Sequence, residues 1–182
     1  MMHLPSAFKD YFWSETFDIA DTEIWGKCTK VLYLDGGLHL YRRPTGQILK
    51  RSARPYQNLL ELFGEPLEDA LPLFVSEGNA DEKRASIYRS EYLSFAFSRF
   101  SEDHGPLVVF GHSLGDSDSH IVNAIKAQRG RAIAVSIKRG QQLIRERKAQ
   151  LIAALPDSTM YFFDAETHPL GAAELLVQDP EE

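Results

Sequence analysis

Residues 107–121 read LVVFGHSLGDSDSHI, and within them Gly111-His112-Ser113-Leu114-Gly115 spells G-x-S-x-G. Two chemistries use such a turn. A serine hydrolase needs a strand, a strained turn carrying the nucleophile, then a helix, with an acid and a base later in the chain. Asp164 and His168 satisfy that order. A nucleotide-binding loop needs the same strand and helix. It uses glycines for close backbone approach and a hydroxyl for a sugar oxygen.

The neighbouring residues favour the second chemistry. Asp116 and Asp118 follow the serine, and two carboxylates there would oppose an anionic tetrahedral intermediate. Asp164 and His168 share one short loop, with no further strand pattern after them and no glycine-rich oxyanion segment near the start. For a nucleotide, the loop lies where open parallel sheets bind ligands, beyond the carboxyl end of a strand. Gly111, His112, Ser113, Leu114, Asp116 and Asp118 are the candidate cofactor contacts. Asp116 or Ser117 is expected to cap the next helix, and Asp118 sits near its positive end, where it can also accept from ribose hydroxyls. A serine esterase using Ser113, Asp164 and His168 stands as one alternative. A non-enzymatic oligomeric interaction module is another.

Short apolar runs supply the strands that would hold this loop: VLYL (31–34), LFV (73–75), LVVF (107–110), AIAVSI (132–137) and TMYFF (159–163). None alternates cleanly with polar residues, so they read as strands buried on both faces. Helical spacing joins Ile87, Tyr88, Tyr92, Phe95 and Phe100, then Ile121, Val122 and Ile125, then Leu143, Ile144, Leu151 and Leu155. The alternation predicts a single α/β domain with a Rossmann-like, mostly parallel sheet of about five strands and helices on both faces. Gly46 in RRPTGQ is expected to close a hairpin. Asn79 and Glu82 fit an N-cap and its capping-box partner. Pro169 is expected to begin a further helix.

Four segments carry a resemblance to a known family: KVLYLDGGLHLY, PLFVSEGNADEKRASIYRSEYLSFAFSRF, LVVFGHSLGDSDSHI and MYFFDAETHPLG. On them the chain resembles the carboxyl half of an uncharacterised bacterial family of unknown function. That family is itself similar to the sirtuin-like NAD-binding domains of phage-defence proteins. The resemblance implies binding of NAD or a related nucleotide, and an NAD glycohydrolase where activity is retained. Gly111, Ser113 and Leu114 match the loop set against the cofactor's ribose. Gly36 matches the glycine of a strand-ending His-Gly pair, and AVS at 134–136 falls at a further cofactor-side strand end. Asp35 stands where the family has its catalytic histidine. It is the candidate for stabilising a cationic ribose or, with its pKa raised by burial, for accepting a proton. His39 is the other catalytic candidate, a weak substitute two strand periods along. The G-x-G-x-x-G phosphate cradle of the relatives has no counterpart in this sequence; Gly26 is the only early glycine. The expectation is a domain without that N-terminal half.

Composition limits the remaining classes. The 182 residues carry a net charge of -6, which disfavours a nonspecific nucleic-acid binder. Arg42, Arg43, Lys50, Arg51 and Arg54 form a local basic run and read as a solvated loop. Cys28 is alone, so no internal disulfide or cysteine-rich zinc site is expected, and no metal is expected from the scattered histidines. No apolar run approaches the roughly 20 residues of a membrane helix, and no signal peptide pattern opens the chain. A cytoplasmic protein that binds a small nucleotide, with no nucleic-acid or membrane partner, is expected. The aromatic face from Tyr88 to Phe100 makes self-association into a homo-oligomer a further expectation. The VQDPEE tail is expected to fray.

Overall fold

The computed structural model describes residues 8–24, 28–52, 69–138 and 144–168. Expectations for Gly26, Arg54, Leu143, Pro169 and the tail lie outside them. The chain is α/β and divides into two compact units, residues 1–102 and 103–182.

In the first unit, β1 (Phe8–Lys9) pairs in parallel with β2 (Thr29–Lys30). A second sheet has β3 (Gly36–Arg42) at its centre, flanked by β4 (Ile48–Lys50) and β5 (Leu71–Phe74), both antiparallel to it. The β3–β4 hairpin turns at Gly46 as expected, in the left-handed region at φ 90°. Glu15 to Phe17 extend β4 outward: Phe17 N–H donates to Ile48 O at 3.0 Å, and Lys50 N–H to Glu15 O at 2.7 Å.

Two expectations fail here. VLYL is not a strand, because its backbone is taken up elsewhere. Val31 N–H donates to Lys9 O at 2.8 Å, and Tyr33 N–H to the Tyr92 hydroxyl at 3.1 Å. Gly36 N–H then closes a turn on Tyr33 O, and the strand begins only at Gly36. The apolar run at 73–75 does give a strand, but it is antiparallel to β3. An apolar run reports burial and carries no information on the direction of its partner.

Helices α1 (Ala80–Tyr88) and α2 (Glu91–Glu102) cover this unit's core. The Asn79–Glu82 capping box forms on α1 as read from sequence. The single helical pattern over 80–100 breaks after Arg89, where Ser90 is buried and its hydroxyl accepts from Leu93 N–H. Serine at such a position starts a new helix by satisfying one of its free amides. Tyr92 is fully buried. Its ring meets Phe12 at 4.9 Å and Phe17 at 5.1 Å, while its hydroxyl holds the 31–34 segment. Burial pushes its phenol far above the ordinary value.

The second unit is a three-stranded parallel sheet in the order β6 (Leu107–Val109), β7 (Ala132–Ile137), β8 (Thr159–Asp164). Helix α3 (Ser119–Lys126) links the first pair and α4 (Ile144–Ala154) the second. The chain therefore forms separate small sheets instead of one mostly parallel sheet of about five strands. Strands added in sequence order through right-handed crossovers place both helices on one face. Burial agrees: Ile133, Val135 and Ile137 are buried, whereas the opposite register row exposes Val108 and Tyr161 by 59% and 58%. Among the described residues this sheet carries helices on one face, where helices on both were expected. Below it, the buried Arg131 guanidinium binds Asp103 at 2.9 Å and also reaches Gln128 and Gly105 O.

Gly36 has the tightest surroundings of the described glycines in the first unit. It sits at φ 79°, and a β-carbon there would stand 2.1 Å from Leu73 O. Gly36→Ala is expected to cost the first unit about 2 kcal/mol or more. Urea unfolding followed by tryptophan fluorescence checks this, since Trp13 and Trp25, the two tryptophans, both belong to that unit. A loss under about 0.5 kcal/mol, within the range of neutral surface changes, would contradict it.

Candidate functional site

The GHSLGDSD loop leaves the carboxyl end of β6 and is shaped by two left-handed residues, Gly111 at φ 70° and Leu114 at φ 49°. Gly111 N–H donates to the Ser136 hydroxyl on the adjacent strand β7 at 3.1 Å. Leu114 is buried, and its N–H donates to His112 Nδ1 at 3.0 Å. That bond leaves the imidazole proton on Nε2, which lies 3.7 Å from the buried Asp118 carboxylate. The distance exceeds a hydrogen bond. Ser113 stands exposed between these anchors.

Residues Asp116–Asp118 form one 3₁₀ turn that runs into α3. The expected side-chain cap from Asp116 or Ser117 does not form. The cap position belongs to Asp118, and its carboxylate makes no capping bond. Asp116 is exposed beside it.

The acid and base of the esterase alternative are also in this unit. The Asp164 carboxylate accepts from Glu166 N–H at 3.1 Å and caps the turn Ala165–Thr167. The His168 ring lies tilted on Phe110, with centroids 4.6 Å apart, and near Phe163 at 6.0 Å. Ser113 and His168 share no hydrogen bond, and the strained residue of the turn is Leu114, not the serine.

A cavity of about 200 Å³ opens at the carboxyl ends of β7 and β8, between Ile137, Lys138, Lys148, Phe162 and Phe163. The sequence reading reached Ser136 through the AVS segment but missed both lysines. Lys138 directly follows a strand, which is the signal that could have found it.

The remaining sequence candidates belong to the first unit. Asp35 and Gly36 lie at the amino-terminal start of β3, not at a strand's carboxyl end. Asp35 O accepts from Val75 N–H at 2.8 Å, and its Oδ1 is buried. His39 packs edge-on against Tyr33 at 4.6 Å. Its Nε2 is buried and makes no hydrogen bond among the described residues. Asp10 and Lys50 form a largely buried ion pair at 2.9 Å. A groove of about 360 Å³ also runs along β5 in this unit, bordered by Arg42, Glu77, Ser86 and Arg89. Among the described residues no three His, Cys, Asp or Glu side chains gather as a metal site. No helix among them is long and apolar enough to cross a membrane.

A family model described as a domain of unknown function (DUF4917) matches residues 4–170. The chain belongs to this family. The match spans both units of this DUF4917 chain, including the 111–118 loop and the Asp35–His39 segment. Nothing matches it among curated proteins.

Burial holds the His39 pKa below its ordinary value of 6.5, assisted by Lys50 and opposed by Asp10. The unfolded chain therefore takes up this proton before the folded one does. The stabilising contribution is intact above 6.5 and declines as pH falls from there to the lowered folded value. Urea unfolding between pH 7.5 and 5 should show the decline, with a slope from this group of at most about 1.4 kcal/mol per pH unit. His39→Gln should flatten it; an unchanged profile in the variant would assign the effect to other groups.

Proposed function

We propose that this chain binds a nucleotide of the NAD or ADP-ribose type at the carboxyl end of the β6-β7-β8 sheet. One observation carries the reading: the 111–118 loop is clamped to β7 by the Gly111–Ser136 bond and presents an exposed Ser113 hydroxyl. A fixed loop with a free hydroxyl suits a sugar oxygen. The ends of parallel strands are also where such sheets take ligands. The likeness of Gly111, Ser113 and Leu114 to the ribose loop of sirtuin-like domains points the same way. The acyl-transfer alternative gains no support from a His168 ring stacked on Phe110.

All residues that support the reading belong to the second unit. Cleavage of the nicotinamide–ribose bond, expected from Asp35, is a separate property, read by nicotinamide release and its loss in Asp35→Asn.

Addition of NAD, ADP-ribose or ADP at a hundredfold excess over its dissociation constant should stabilise the chain by about 2.7 kcal/mol, seen as a rise in melting temperature. Ser113→Ala should weaken that binding roughly three- to tenfold, the worth of one hydrogen bond of about 0.5–1.5 kcal/mol, without lowering the ligand-free melting temperature. Absence of a shift with all three ligands would refute the proposal. Release of nitrophenol from a short-chain ester, abolished by Ser113→Ala, would replace it with the hydrolase reading.

A further inference from the structure

We infer that the cavity between Lys138 and Lys148 is the phosphate subsite of that nucleotide, an assignment that rests on the reading above. Its volume is about 200 Å³, below the roughly 300–1,000 Å³ of pockets that enclose a whole small ligand. It therefore takes part of a ligand. A flat base is disfavoured, because the ring face it would stack on is occupied: Lys148 Nζ lies over Phe162, 5.3 Å from the centroid. That contact holds an otherwise mobile ammonium in place. Lys138 extends from the end of β7, two residues after Ser136.

Charge fits the same occupant. Among the described residues that line it, two lysines stand with one carboxylate, Asp164, whose Oδ1 accepts from Glu166 N–H. The net balance favours an anion. Position fits as well. The proposed ribose loop follows β6 and is tied to β7, while the cavity lies beyond β7 and β8. Neighbouring strands are about 4.8 Å apart, so ribose and phosphate would be offset by one or two strand spacings. The sequence has no G-x-G-x-x-G turn to cradle phosphate with backbone amides. Two lysines acting as point charges supply the alternative.

Isothermal titration at low salt separates this assignment from the reading beneath it. The probes are ADP-ribose, adenosine and inorganic pyrophosphate, and the proteins are the wild type, Lys138→Gln/Lys148→Gln and Lys138→Arg/Lys148→Arg. The inference predicts that the glutamine pair weakens ADP-ribose and pyrophosphate tenfold or more, leaves adenosine unchanged, and lowers the salt dependence. The arginine pair should restore most of the affinity. Unchanged ADP-ribose binding in the glutamine pair would overturn the subsite and leave the nucleotide reading standing. Lysine-dependent pyrophosphate binding without binding of ADP-ribose, NAD or ADP would uphold an anion site and overturn the nucleotide reading. Failure of the wild type to bind any of the three probes, or NAD or ADP, would overturn both.

Discussion

The hydrogen bond from Gly111 N–H to the Ser136 hydroxyl is the constraint on which the functional half of the molecule depends. A loop leaving a three-residue strand has little to hold it. Here the first residue past Phe110 is fixed to the neighbouring strand, which belongs to the best-paired part of the sheet, with β7 bonded on both sides. Once Gly111 is fixed, its left-handed φ turns the chain. Leu114 is then buried in a conformation that a branched side chain adopts only under compulsion. The bond from Leu114 N–H to His112 compensates part of that cost and orients the imidazole toward Asp118. Ser113 is the residue left exposed among these anchors, which is why it presents its hydroxyl to solvent.

The first unit is organised on a different principle. Its core is a cluster of aromatic rings around Tyr92, and the Tyr92 hydroxyl reaches out of that cluster to one backbone amide. A buried phenol with a partner is stable, whereas one without would carry a desolvation cost of about 1–3 kcal/mol. The same bond diverts residues 31–34 from strand pairing and sets where β3 can start. Gly36 then permits the close approach of β3 and β5 that no other residue would allow. The Asp10–Lys50 pair and His39 occupy the polar side of this packing.

The second unit was the more legible of the two. LVVF, AIAVSI and TMYFF are strands within one residue of their apolar runs, and the intervening helices follow their 3.6-residue spacing. A βαβ unit encodes its partners by proximity in the chain, so local pattern is nearly sufficient. In the first unit, strand partners are distant and direction is decided by tertiary contacts. That is why VLYL misled and why β5 runs antiparallel. The loop itself was visible as glycine spacing. The place of Asp118 was not, since a capping aspartate and one set beside the His112 ring occupy the same position in the sequence. Lys138 and Lys148 were hidden because their convergence depends on the fold of α4 over β7 and β8.

The clamp can be removed with one oxygen atom. Ser136→Ala should keep the melting temperature within a few degrees, because the hydroxyl contributes about 1 kcal/mol. It should weaken ADP-ribose binding, measured by isothermal titration, roughly five- to tenfold as the loop loses its fixed geometry. Affinity equal to wild type in a folded Ser136→Ala protein would show that the loop needs no clamp to do its work, and would contradict this account of the site.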